Sequence, residues 1–148
     1  MQIDITDLQT IVRIDKRKMK KCAEVALKAL GEKKAELSLL FVDDFYIKRL
    51  NRDYRGLNSE TDVLAFSMRD GEKHFKDHPI LGDVVISTES AKREAKKRKI
   101  PIQNEICLYL AHGILHLLGH EDNKASDRKK MKTKEIGLLE AMCGNRIW

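Results

Sequence analysis

The segment HGILHLLGHED, residues 112–122, ends the most apolar run of the chain, residues 100–118. Apolar residues in this run surround most of a helix instead of forming one stripe, which predicts a helix buried in the domain. They are Ile102, Ile106, Tyr109, Leu110, Ile114, Leu117 and Leu118. Imidazoles on a buried helix cost free energy unless a partner satisfies them. This segment is therefore predicted to lie at the centre of the fold and to contain a candidate functional site.

Two histidines of this helix have the spacing of a metal-binding pair. His112 and His116 are four residues apart, so both point from one helix face at about 6 Å along the axis. This geometry suits two ligands of one divalent ion. The alternative is a pair of hydrogen-bonded core histidines. An apolar helix followed by a glycine and a further ligand favours the metal.

The third ligand is either Asp122 or His120. On an unbroken helix His120 would lie about 12 Å from His112, too far for one tetrahedral zinc ion. Gly119 can take the left-handed conformation that ends a helix, and the chain can then turn back. Asp122 is favoured as the residue that closes the site. His120 stays open as the competitor, as does a plain capping role for Asp122.

The same segment resembles the signature of the YbeY family, bacterial endoribonucleases of ribosomal RNA maturation. That signature is HGxLHLxG followed by Tyr or His, Asp and His. Residues 112–119 match it in full, and the difference is Asp122, where the family has its third histidine. Residues 50–68 and 82–87 resemble two further family blocks. The resemblance implies that Arg55, in the first of these blocks, is catalytic.

The resemblance implies a metal-dependent, zinc-type endoribonuclease that acts on single-stranded RNA in ribosomal RNA maturation and ribosome quality control. Its implied metal ligands are His112, His116 and Asp122, with one zinc ion per chain, and its implied catalytic residues are Arg55, His112 and His116. The implied partners are ribosomal RNA and the ribosomal subunit. Because a carboxylate replaces an imidazole, harder ions such as manganese should be tolerated better than at an all-histidine site.

Two other functions remain to be distinguished. The ligand spacing also resembles the zinc motif of metzincin peptidases, which suggests a metallopeptidase or amide hydrolase. In those enzymes the residue after the first histidine is a glutamate base, and here it is Gly113. The third possibility is a non-catalytic ribosome assembly factor with a metal. A structural zinc ion would be expected to have four protein ligands, and the sequence offers three firm candidates.

Composition and charge fit a polyanionic partner. The chain of 148 residues has a net charge of +6, and its excess lysine and arginine fall in three clusters, residues 16–21, 92–99 and 128–134. Basic surfaces attract phosphate backbones, although each cluster alone also fits a solvated helix face. Three scattered cysteines without a Cys-x-x-Cys pair favour a reducing cytoplasm. We expect no membrane partner, because the longest apolar run is too short and polar to span a bilayer.

The order of elements predicts one domain, residues 1–148, of the α+β class. We expect an about four-stranded mixed sheet with surrounding helices and a buried metal-binding helix. The strands are predicted at residues 2–8, 36–42, 63–68 and 81–87. Helices are expected to start at Asp15, at Asp43 or Asp44, at Thr88 or Ser90, at Pro101 and at Ser126. His74 and His78 are also four apart, but in a polar segment before Pro79 where a helix, and so a ligand pair, is improbable.

Overall fold

The computed structural model describes residues 1–69 and 79–144 and contains four strands and five helices in that part of the chain. In chain order the elements are β1 (Gln2–Asp7), α1 (Lys16–Ala29), β2 (Glu36–Val42), α2 (Asp44–Arg55), β3 (Val63–Ser67), β4 (Ile80–Ser87), α3 (Thr88–Arg98), α4 (Ile102–Leu117) and α5 (Ala125–Cys143). His74 and His78 lie outside the described residues. None of the described helices is long and apolar enough to cross a membrane.

The strands form one mixed sheet in the order β1-β2-β4-β3. β1 and β4 both run parallel to β2, whereas β3 pairs antiparallel with β4. Parallel neighbours need crossover connections, which α1 and the segment containing α2 and β3 provide. This arrangement confirms the predicted α+β class with a four-stranded mixed sheet.

Alternate strand residues divide the sheet into two packed faces. One face carries Leu39, Phe41, Val84 and Ile86, which join residues of α1, α4 and α5 in the main core. The other face packs a smaller cluster around Ile47 of α2. Because side chains alternate along a strand, a one-residue change of register would exchange these two faces.

Helix α4 lies at the centre of the main core, as its apolar pattern predicts. It is buried along most of its length, and it passes so close to the sheet that Gly113 has no room for a side chain. A Cβ atom there would lie 2.6 Å from Cγ1 of Val84. The glycine is therefore required by the packing of α4 on β4.

The predicted start of α3 at Thr88 is confirmed, whereas the predicted start of α5 at Ser126 is wrong by one residue. Ser87, the last residue of β4, caps α3 by accepting a hydrogen bond from the backbone N–H of Ser90 at 3.2 Å, so strand and helix are joined without a loop. Helix α5 begins at Ala125 after Lys124, whose side chain makes no capping hydrogen bond. Asp15 and Asp43 cap α1 and α2 as predicted.

Candidate metal centre

A tight turn at the end of α4 brings the candidate third ligand back to the two histidines. Gly119 has φ +91°, in the left-handed region. Its N–H donates to the carbonyl of His116 at 3.0 Å, and the N–H of His120 donates to that of Leu115 at 3.0 Å. This pair of bonds is the Schellman arrangement that ends helices at glycine. The chain then reverses, and Asp122 reaches the face of α4 that carries the histidines.

The structure brings together His112, His116 and Asp122, whose nearest ligand atoms all lie within 4.8 Å of one another. The Nε2 atoms of the two histidines are 2.9 Å apart. Oδ2 of Asp122 lies 3.6 Å from each of them. A tetrahedral zinc ion with bonds of about 2.0–2.1 Å separates its ligand atoms by about 3.3 Å. The three donors thus have nearly the spacing that such an ion requires. In the described part of the chain His120 does not join this group.

The opposite side of the His112 ring is already hydrogen-bonded. Nδ1 of His112 lies 3.2 Å from a carboxylate oxygen of Glu135 in α5. At His116, the backbone of His120 favours the protonated ring and so partly offsets the lowering of its pKa. If Nδ1 carries the proton in each ring, both Nε2 atoms present lone pairs to each other and to a carboxylate oxygen. One metal ion could then accept all three of these lone pairs.

The two ligand histidines sit in different electrostatic surroundings. Burial opposes protonation of His112, but the hydrogen bond and charge of Glu135, together with Asp122, outweigh it and raise the pKa of His112. Burial and the neighbouring charge of His112 lower the pKa of His116. Both side chains are partly open to solvent, with 25% and 31% of their surface exposed. A bound ion would therefore have an accessible side.

Arg55, the predicted catalytic residue, is the last residue of α2 and lies near His116. Its charge contributes to lowering the pKa of that histidine. The guanidinium donates to the carbonyl of Ala65 at 2.9 Å and stands 5.8 Å from the centre of the Phe66 ring. These contacts hold an exposed cation beside the candidate metal centre. Its catalytic role, like the three metal ligands, stays a prediction.

Glu135 is the residue of this site that sequence reasoning did not find. It lies 23 positions after His112 and enters the site only because α5 packs on α4. The available signal was weak, since Glu135 stands in a helix otherwise rich in lysine. A carboxylate that accepts the N–H of a ligand histidine is a common outer partner at metal sites.

The chain is similar to known endoribonucleases over almost its whole length. The family model described as Endoribonuclease YbeY matches residues 4–143. The relative named Endoribonuclease YbeY from Syntrophus aciditrophicus is 38% identical over 146 residues, covering 97% of this chain and 91% of the relative. The relative of the same name from Pelotomaculum thermopropionicum is 42% identical over 145 residues, covering 94% and 95%.

A solved structure shares the fold. The solution structure of a Thermotoga maritima protein superposes with a TM-score of 0.68 at 24% identity, covering 97% of this chain and 90% of that one. At this level of identity the likeness concerns the arrangement of helices and strands.

Proposed function

Because the chain belongs to the YbeY endoribonuclease family, we propose that it is a metal-dependent nuclease that cuts single-stranded RNA during ribosomal RNA maturation. The observation that carries the proposal is the group of His112, His116 and Asp122, whose donor atoms face one another at metal-ligand spacing. The proposal treats residues 1–148 as one catalytic domain. It places the protein in the cytoplasm, acting on ribosomal RNA and the ribosomal subunit.

His112, His116 and Asp122 would hold one zinc ion per chain. A zinc ion bound by three protein ligands keeps an open position and supplies Lewis acidity and a water of lowered pKa. The single carboxylate makes the set one unit more negative than three neutral imidazoles. It is therefore expected to discriminate less strongly against harder ions such as manganese.

Arg55 would bind and stabilise the phosphate at which the strand is cut. A guanidinium grips two phosphate oxygens at once, and it stabilises the charge that develops there in the transition state. The contacts to Ala65 and to the Phe66 ring orient this side chain before substrate arrives. An orientation fixed in advance reduces the entropy lost when the transition state forms.

The peptidase alternative conflicts with the packing of α4. A metzincin-type base would have to stand at Gly113, where even a Cβ atom meets Val84 at 2.6 Å. A larger residue at that position requires a shift of the Val84 side chain or of the helix itself. The endoribonuclease family of the chain agrees with this exclusion.

The function is tested by incubating zinc-reconstituted protein with labelled single-stranded and double-stranded RNA and with a generic protein. We expect cleavage of the single strand, loss of that cleavage after chelation, and its return on adding zinc. Cleavage of the protein but not of RNA would support the peptidase instead. Binding to ribosomal RNA without cleavage under all metal conditions would support the non-catalytic assembly factor.

A further inference from the structure

A cleft of about 360 Å³ lies between helix α2 and the strands, on the face of the sheet opposite α4. Three aromatic rings, those of Tyr46, Tyr54 and Phe66, line it together with aliphatic side chains and one carboxylate, that of Asp83. Its volume lies at the lower end of the roughly 300–1,000 Å³ typical of small-molecule pockets. The cleft therefore has the size and the aromatic walls that suit one flat ligand.

Tyr54 is the most exposed of the three rings, with 71% of its surface accessible. Its ring meets that of Phe66 edge to face, with centroids 5.6 Å apart and an angle of 67° between the planes. Such a contact orients the tyrosine ring and leaves its own faces available. An exposed aromatic face that is held in one orientation is a surface on which a nucleic acid base can stack.

Asp83 places a hydrogen-bond acceptor beside these rings. It pairs with Phe66 across the antiparallel strands β3 and β4, so the two side chains leave the same face of the sheet as direct neighbours. The side chain of Asp83 is exposed, and an ionised carboxylate can only accept hydrogen bonds. It therefore favours a ligand that carries N–H donors along its edge, as cytosine does at N4.

The cleft adjoins Arg55, the residue proposed to bind the phosphate that is cut. The Arg55 guanidinium stands 5.8 Å from the centre of the Phe66 ring, so Phe66 contacts both Arg55 and Tyr54. Helix α2 carries four lysine and arginine residues against two carboxylates. Basic groups beside aromatic rings are the combination with which proteins bind single strands. Charge and position thus favour a nucleic acid strand as the occupant of the cleft.

We propose that the cleft binds the base of a nucleotide next to the cut phosphate, with the base stacked on Tyr54 and its exocyclic amino group donating to Asp83. Adenine, cytosine and guanine carry such an amino group. Uracil has its N–H between two carbonyl oxygens, which a carboxylate repels, so the subsite disfavours uracil. The inference rests on the proposed function and adds a base preference to it.

Stacking is tested by comparing Tyr54→Ala with Phe45→Ala. Both rings are exposed on α2, by 71% and 70%, but of the two only Tyr54 lines the cleft. The measurement is the affinity of zinc-loaded protein for a fluorescein-labelled, 2′-O-methylated oligocytidylate, whose intact length is checked on a gel after each titration. An abasic strand of the same length is measured in parallel, because it has phosphates but no base to stack.

We expect Tyr54→Ala to weaken binding of oligocytidylate about fivefold or more, the effect of losing one stacked base. Tyr54→Phe keeps the ring and should bind nearly as wild type does, as should Phe45→Ala. The abasic strand should bind wild type and Tyr54→Ala equally. An indirect effect of Tyr54 on Arg55 would instead weaken binding of the abasic strand as well.

The base preference is tested by the ratio of the dissociation constants for oligouridylate and oligocytidylate. Wild-type protein should bind oligocytidylate several-fold more tightly. Asp83→Asn should bring the ratio close to one, because an amide can donate to a uracil carbonyl as well as accept. Loss of a negative charge strengthens binding of both strands, and the ratio cancels this effect. Asp53→Asn removes an exposed carboxylate that pairs with Arg52 at 3.2 Å, and it should keep the wild-type ratio.

Equal weakening by Tyr54→Ala and Phe45→Ala would overturn the base subsite, and so would weaker binding of the abasic strand to Tyr54→Ala. A wild-type ratio close to one, or a ratio that Asp83→Asn leaves unchanged, would overturn the role of Asp83. In each case wild-type protein still cleaves single-stranded RNA, so the proposed function survives. Wild-type protein that neither binds nor cleaves RNA would refute the function together with the subsite.

Discussion

The carboxylate of Glu135 lies 3.2 Å from Nδ1 of His112, so helix α5 orients a candidate ligand that belongs to α4. The bond favours the tautomer whose Nε2 atom is free to bind a metal. Because this bond joins α5 to α4, a shift of one helix relative to the other would change the orientation of the His112 ring.

Replacing Glu135 by leucine should therefore weaken zinc binding by about 10–100-fold, the range for loss of an outer partner of a ligand histidine. Glu135→Gln keeps an acceptor oxygen but loses the charge, and its effect should lie between those of wild type and leucine. Competition with a chromogenic chelator gives the affinities. Glu140→Gln, an exposed position of the same helix, is the control and should bind zinc as wild type does. Equal zinc affinity in all four proteins would contradict the role of Glu135.

Asp122→His gives the centre three imidazoles, as at the corresponding place in the family signature. Imidazole suits zinc well, whereas carboxylate oxygen suits harder ions such as manganese. The ratio of the manganese to the zinc dissociation constant should rise by about tenfold or more, which is about 1.4 kcal/mol. Metal competition on both proteins measures this ratio. An unchanged ratio would argue against Asp122 as a ligand. Wild-type protein that is purified without added metal and holds zinc alone, at one equivalent, would argue against the low metal selectivity of the wild-type centre.

Arg55→Ala should reduce the rate of single-strand RNA cleavage by about 100-fold. This is the usual effect of removing one hydrogen-bond donor that stabilises the charge developing in a transition state. Zinc content should stay unchanged, because Arg55 is not in the ligand group. Arg52→Ala is the matched control: Arg52 lies one turn earlier in α2 and pairs at the surface with Asp53 at 3.2 Å. Similar losses in the two variants would mean that Arg55 contributes only general charge. Urea unfolding of both variants checks that loss of the bond to Ala65 has not loosened the fold.

Features that depend only on residues close together in the sequence could be predicted from local patterns. Strand β2 has the predicted bounds, since a compact apolar stretch is flanked by charged residues on both sides. The group of His112, His116 and Asp122 was also predictable, because a helical repeat and one glycine turn determine its geometry.

Contacts between distant helices were not predictable in the same way. Glu135 reaches His112 only through the docking of α5 on α4. The cysteines appear scattered in the sequence, yet Cys22, Cys107 and Cys143 of three different helices all join the main core. All three carry free thiols in the structure.

The fully buried carboxylate of Glu105 should make stability depend on pH. Its burial raises its pKa, although the guanidinium of Arg98 lies 3.4 Å from one oxygen. The folded chain then holds this proton more tightly than the unfolded chain does. The free energy of unfolding should fall as pH rises from about 4.3, the ordinary pKa of glutamate, up to the raised pKa of Glu105. Above that pKa the contribution of Glu105 should no longer change with pH.

Glu105→Gln removes that titration, so the free energy of unfolding of the variant relative to wild type should increase with pH over the same window. Urea unfolding of chelator-treated proteins at a series of pH values measures the difference. Glu140→Gln, which removes a carboxylate from an exposed position of α5, is measured in parallel as the control for the loss of one charge. A pH-independent difference between Glu105→Gln and wild type would show that Glu105 keeps an ordinary pKa.

Replacement of glycine by alanine should have opposite effects on the free energy of unfolding at Gly113 and at Gly137. At Gly113, in α4, the new Cβ would lie 2.6 Å from Val84, whereas at Gly137, in α5, it would meet no atom within 4 Å. Gly113→Ala should lower the free energy of unfolding of the metal-free protein by about 1–3 kcal/mol through overpacking. Gly137→Ala should raise it by about 0.5–1 kcal/mol, because alanine loses less conformational entropy in a helix.

Adding Val84→Ala to Gly113→Ala should recover part of the loss, since the two residues are in direct contact. Stabilisation by both single substitutions, measured by urea unfolding, would mean that α4 can move away from the sheet, and the exclusion of a peptidase base at Gly113 would lose its physical ground.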